Sequence, residues 1–112
     1  MTITPQKRRS YSYSELEAGK KFIGQGAISR CMKYEVRGCQ WVEKELHSWR
    51  ELEVHLINWI RNEARVLADL RGRDSVVQFL GCYRPRNSWH PKLLTLMLEY
   101  IEGESLFDYQ GE

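Results

Sequence analysis

The sequence predicts an α+β domain in which a five-stranded antiparallel sheet carries one main covering helix. Three observations predict it. Short β-patterned runs lie on either side of tight glycine turns, one long stretch switches to helical periodicity, and two further β-patterned runs flank a polar loop with two prolines. Runs joined by short turns pair antiparallel, and a single helix is left to cover one face.

The elements follow in order. Residues 1–17 are polar, with the basic run Lys7-Arg8-Arg9 and a Ser/Tyr alternation, and read as a flexible tail ahead of a domain spanning residues 18–112. Arg8-Arg9-Ser10 has the composition of a basic-directed phosphorylation site or a weak nuclear signal; a solvated tail is the plainer reading. Strands are expected over 20–24 and 30–36, around the turn Gly24-Gln25-Gly26-Ala27-Ile28-Ser29. Arg37-Gly38 marks a second turn and Gln40 to Leu46 a third strand. From about Ser48 to Leu70 the apolar residues Leu52, Leu56, Ile60, Leu67 and Leu70 recur at helical spacing, and Gly72 is placed as a C-terminal stop. A fourth strand is expected over Val76 to Tyr83 and a fifth over Leu93 to Tyr100, joined by the polar loop Arg84 to Pro91. Ile101 to Glu104 is a connector, and Ser105 a cap for a short helix.

Composition narrows the function. The chain has 112 residues, 42% hydrophobic and 29% charged, as a single globular domain or part of one has. A net charge of +2 is too small and dispersed to point to nucleic acid. Cys31, Cys39 and Cys82 are odd in number and widely spaced, which argues against a disulfide framework and for a reduced intracellular setting, cytoplasmic with the nucleus as an alternative. No apolar run suits a secretory signal or a membrane span. His47, His55 and His90 share no metal-ligand spacing, and no Gly-x-Ser-x-Gly elbow is present, so neither a zinc site nor a hydrolase is expected.

Two features carry chemistry. A glycine turn between strands lets the backbone approach a phosphate and aim its N–H groups at the anion. Gly24 and Gly26 match the first two glycines of G-x-G-x-x-G, with Ser29 at the third position. A strand follows the turn, which excludes a dinucleotide fingerprint, and no Gly-Lys-Ser/Thr follows, which excludes a Walker loop. The second feature is Lys44. Side chains alternate along a strand, so Val42, Lys44 and Leu46 share one face while Glu43 and Glu45 share the other. A lysine between two apolar residues on a core face is costly without a partner. Glu63 lies three residues after Ile60 and four before Leu67, inside the apolar stripe of the helix. The two misplaced charges predict an ion pair. The alternative is that Lys44 snorkels to an edge and Glu63 sits at the stripe margin.

Taken in order, these elements resemble the small, nucleotide-binding lobe of a protein kinase over roughly residues 20–109. Ile23 to Cys31 resembles the glycine-rich loop, Trp41-Val42-Glu43-Lys44 the Val-Ala-Ile-Lys strand, Asn62 to Leu67 the helix that bears the lysine's glutamate, and Leu96 to Leu106 the fifth strand, hinge and next helix. The resemblance implies ATP as ligand. Gly24 and Gly26 would cover its phosphates, Lys44 would hold the α- and β-phosphates, and Glu63 would orient Lys44. Ile23, Cys31, Val42 and Leu98 would wall the adenine, with Leu98 as gatekeeper. The backbones of Glu99 and Ile101 would read the adenine edge, and Ser105 would lie near the ribose.

The chain departs from the family pattern at Ser29, at Cys31 where valine is usual, and at Val42 where alanine is usual. Glu43 and Glu45 beside Lys44 are expected to oppose bound phosphate slightly. The family's activity is phosphoryl transfer to a protein Ser/Thr or Tyr hydroxyl. It uses His-Arg-Asp…Asn and Asp-Phe-Gly motifs that do not occur in these residues. Gly72-Arg73-Asp74 falls in a turn, and Phe107-Asp108-Tyr109 near the end. The chain alone is therefore expected to be catalytically incompetent, with Mg-ATP bound only beside a complementing large lobe. A protein partner is expected over the surface that would face that lobe, with Trp49, Trp59 and Trp89 as contributors. A non-catalytic kinase-like scaffold and an unrelated α+β binding domain are the competing readings.

Overall fold

Residues 39–46 form the centre of the molecule, and nearly every one of them is buried. In the computed structural model, which describes residues 8–26, 29–46, 53–73, 77–85 and 93–101, these residues are strand β3 (Cys39–Leu46). β1 (Lys20–Gln25) and β2 (Ser29–Val36) precede it in an antiparallel meander, and β4 (Phe79–Tyr83) and β5 (Thr95–Glu99) complete a five-stranded sheet in the order β1-β2-β3-β5-β4. All four pairings are antiparallel. The expected α+β class and strand count are present, with α1 (Tyr13–Ala18) ahead of the sheet and α2 (Glu53–Asp69) as the main helix.

Packing on both faces explains the burial of β3. On the inner face, Cys31, Val42, Leu46, Leu96, Leu98 and Phe79 meet Leu56, Ile57, Ile60 and Ala64 of α2 in one apolar cluster. On the outer face, Tyr34, Val36, Cys39, Trp41 and Met97 form a second cluster with Leu16 of α1. A strand enclosed on both sides loses the polar half of its alternation, so Trp41, Val42, Glu43 and Lys44 are all sealed.

The boundaries differ from the sequence reading where side chains take over from the ladder. The expected β4 start at Val76 lies outside the described residues, and the strand begins at Phe79, after Gln78, which is engaged in the preceding loop. Its side chain donates to the Arg73 carbonyl at 3.0 Å and accepts from the Gly72 N–H at 2.6 Å. β5 covers Thr95–Glu99 rather than Leu93 to Tyr100. The expected helix start at Ser48 lies outside the described residues, as do Trp49, Trp89, His47, His90 and Ser105. Arg37 and Gly38, with φ of +52° and +81°, form the two-residue turn that the β2–β3 hairpin requires.

The largest difference is at the start of the chain. Residues 8–17, read from the sequence as tail, lie on the outer face and carry all of α1 but its last residue, Ala18. Ser12 caps this helix: its side chain accepts from the Glu15 N–H at 3.1 Å, and the Glu15 carboxylate accepts from the Ser12 N–H at 2.9 Å. A six-residue helix with one buried apolar side chain, Leu16, is too short to show as periodicity. Among the described residues no helix is long and apolar enough to cross a membrane.

Gly19 joins this segment to the sheet. Its carbonyl accepts from the Glu35 N–H at 3.0 Å, and a Cβ on Gly19 would stand 2.2 Å from the Glu35 carbonyl oxygen. Gly19→Ala therefore forces two backbones apart and is expected to cost about 2–3 kcal/mol. Gly38→Ala meets open space and only the positive-φ penalty, about 1 kcal/mol. Urea denaturation of the two variants checks the order, which reverses if the α1 junction yields freely.

Candidate functional site

The inner face brings the two misplaced charges together. Lys44 points from β3 toward α2, and its Nζ donates to Glu63 Oε2 at 2.9 Å. Lys44 is fully buried, whereas the Glu63 side chain is 12% exposed. Across the ladder Lys44 stands beside Cys31 on β2 and Leu96 on β5, and its Nζ lies 5.1 Å from the centre of the Trp59 ring. The second carboxylate oxygen, Glu63 Oε1, is buried and has no hydrogen-bond partner among the described residues. The pair is thus desolvated but only half satisfied, an arrangement that native interiors avoid without a reason.

The other expected site residues converge beside it. Cys31, Val42 and Leu98 belong to one cluster, and Ile23 packs against it. Val42 is paired with Leu98, and Cys31 with Gly24. Gly26 closes the first hairpin by donating its N–H to the Ser29 carbonyl at 2.7 Å; Ala27 and Ile28 lie outside the described residues. Glu99 and Ile101 sit half-buried at the end of β5. The Glu99 carboxylate accepts from the Gln78 N–H at 2.9 Å, and its own N–H donates to the Gln78 carbonyl at 3.0 Å. Lys33 places its Nζ 4.1 Å from the Tyr100 ring centre at this same end.

Burial governs the chemistry of Cys31. Desolvation pushes its thiol up to about 11; the Lys44 charge lowers it, and the Glu63 and Glu45 charges add to the rise. A buried protonated thiol is a small apolar wall, not a nucleophile.

Glu43 and Glu45 lie on the face of β3 opposite Lys44, as strand alternation requires. Glu45 pairs with Arg30 at 3.1 Å. Glu43, 2% exposed, receives a hydrogen bond from Trp41 Nε1 at 2.8 Å, another from the Tyr83 hydroxyl at 2.7 Å, and the Arg8 Nε at 2.6 Å. Sequence reasoning missed this centre. The available signal was that Trp41 and Glu43 share a face of the same strand, which brings a large buried ring against the carboxylate.

An open cleft of about 700 Å³ lies between α2 and the β4–β5 edge of the sheet, lined by Asn58, Arg61, Asn62 and Arg65 with Phe79, Cys82 and Leu94. It includes none of the residues that sequence reasoning assigned to a ligand. Among the described residues no group of His, Cys, Asp or Glu could hold a metal ion. No protein-family model matches this chain, and no curated protein matches it significantly.

Two predictions follow from burial. Glu63→Ala strands a fully buried ammonium and is expected to cost about 3–5 kcal/mol. Lys44→Met leaves a carboxylate on a side chain that is 12% exposed and can turn toward water, and is expected to cost about 1–2 kcal/mol. Urea unfolding of the two variants tests this order, and the opposite order means that Lys44 is hydrated. The second concerns alkali. The folded state keeps the Cys31 proton to about 11, whereas an unfolded thiol releases it near about 8.5. Stability from the neutral thiol is therefore complete below about 8.5 and is lost as pH rises through about 11. Tm is expected to fall across that window, less steeply in Cys31→Ala; equal slopes would show that Cys31 ionises freely.

Proposed function

We propose that this chain is the nucleotide-binding part of a protein-kinase-like domain and takes ATP against the inner face of its sheet. The observation that carries the reading is the Lys44–Glu63 pair, bridging the central strand and the covering helix at 2.9 Å with the glycine hairpin on the neighbouring strands. In this reading the Gly24–Gly26 backbone lies over the phosphates, Lys44 Nζ moves onto the α- and β-phosphates, and Glu63 holds the ammonium in line. Ile23, Cys31, Val42 and Leu98 supply the apolar walls for a purine, and the backbones of Glu99 and Ile101 its polar edge. Phosphoryl transfer to a protein hydroxyl would further need an aspartate to orient the hydroxyl and ligands for Mg²⁺, which a large lobe provides in that family.

A second reading, a non-catalytic scaffold that keeps the lobe without the ligand, is favoured by one observation. Lys44 and Val42 are both fully sealed, with 0% exposure, so the described conformation offers no phosphate a path to Nζ unless the pair opens. The two readings separate by calorimetry with ATP. Under the first, the wild-type chain binds, and Lys44→Met weakens binding at least about tenfold, a loss of about 1.4 kcal/mol. Under the second, a folded chain shows no heat of binding up to about 1 mM ATP, a free energy of about 4 kcal/mol.

A further inference from the structure

The outer face holds a charge pair that no nucleotide reading uses. Glu43 is sealed by Trp41 Nε1 at 2.8 Å and the Tyr83 hydroxyl at 2.7 Å, both neutral donors. Among the described residues only Arg8 brings it a positive charge, through Nε at 2.6 Å and Nη2 at 3.3 Å. This fork comes from 35 residues earlier in the chain and is the bidentate geometry in which arginine binds carboxylate best. The guanidinium also lies 4.3 Å from the Tyr83 ring centre and 5.6 Å from that of Tyr34. Burial works against the Arg8 charge, but the hydrogen bond and charge of Glu43 prevail and its pKa is raised. Burial, and then the Glu43 charge, hold Tyr34 and Tyr83 protonated.

Further contacts attach the rest of the segment, among them Arg37 with its guanidinium 5.4 Å from the Tyr11 ring centre. Tyr11 stacks on Trp41 with ring centres 5.8 Å apart, and Trp41 stacks in turn with Tyr34 at 5.3 Å. Leu16 enters the outer core, and Glu15 pairs with Arg37 at 2.6 Å on the surface. α1 has six residues, far below the length at which a helix is stable by itself. The segment therefore keeps its shape through contacts with the sheet.

We propose that residues 8–18 are a releasable strap over the outer face, with Arg8–Glu43 as its charged catch and Gly19 as its fixed end. Opening the strap uncovers Trp41 and leaves Glu43 without its cation.

Hydrogen exchange read by mass spectrometry on the full chain tests this without any nucleotide. In Arg8→Ala, amides of residues 8–18 are expected to exchange at least about tenfold faster, equivalent to about 1.4 kcal/mol, while those of β2, β3 and β5 stay within about threefold of wild type. Arg8→Lys, which keeps the charge but not the fork, is expected to fall between. Should Arg8→Ala not fold, Glu43→Gln keeps the shape and the Trp41 contact, removes the charge, and is expected to loosen the same segment alone. Unchanged exchange over residues 8–18, or equal acceleration of segment and strands, overturns the proposal: the first denies the catch, and the second makes the segment an inseparable part of the fold.

Discussion

The central strand is closed on both faces while carrying opposite charges on consecutive residues, and the remaining architecture answers that constraint. Lys44 points inward and Glu43 outward, both with almost no exposure. A strand cannot neutralise charges that lie on opposite faces, so each needs a counter-ion from another element. α2 brings Glu63 to the inner charge, and the N-terminal segment brings Arg8 to the outer one. The position of the helix and the folding-back of the chain start are thus tied to one dipeptide of β3.

The two pairs solve the problem unequally. Both oxygens of Glu43 are occupied, by an indole, a phenol and both arms of a guanidinium. Such a network is costly to break and adds rigidity more than net stability. On the inner face, Lys44 meets one oxygen of Glu63, while the other is buried without a partner among the described residues.

What was legible in the sequence follows from where local pattern and tertiary need agree. The glycine and Arg37-Gly38 turns, the alternation of β2 and the heptad-like spacing of Leu56, Ile60 and Leu67 are local signals, and each produced the element it suggested. The Lys44–Glu63 pair was legible because each charge violates an apolar pattern, and two violations of opposite sign point at each other. Glu43 violates nothing. It sits where alternation allows a polar residue, and only the arrival of Arg8 from 35 residues away makes its face an interior. Its burial, α1 and the outer core were hidden together for this reason: a six-residue helix leaves too faint a period, and without it the outer face reads as solvent-facing.

The inequality of the two pairs also bears on where a ligand belongs. Among the described residues the ammonium is held by a single carboxylate oxygen, beside apolar walls from four strands, and a Glu63 that is partly exposed can shift without being dragged through the core. Glu43 has no such slack, since releasing Arg8 leaves its charge with neutral donors alone. An incoming phosphate would replace one anion with another at Lys44, which conserves charge inside the domain, whereas any anion reaching Arg8 would have to outcompete a fork already in place. Electrostatic exchange is therefore cheaper on the inner face, which is the physical argument for placing the proposed ligand there rather than at the outer pair.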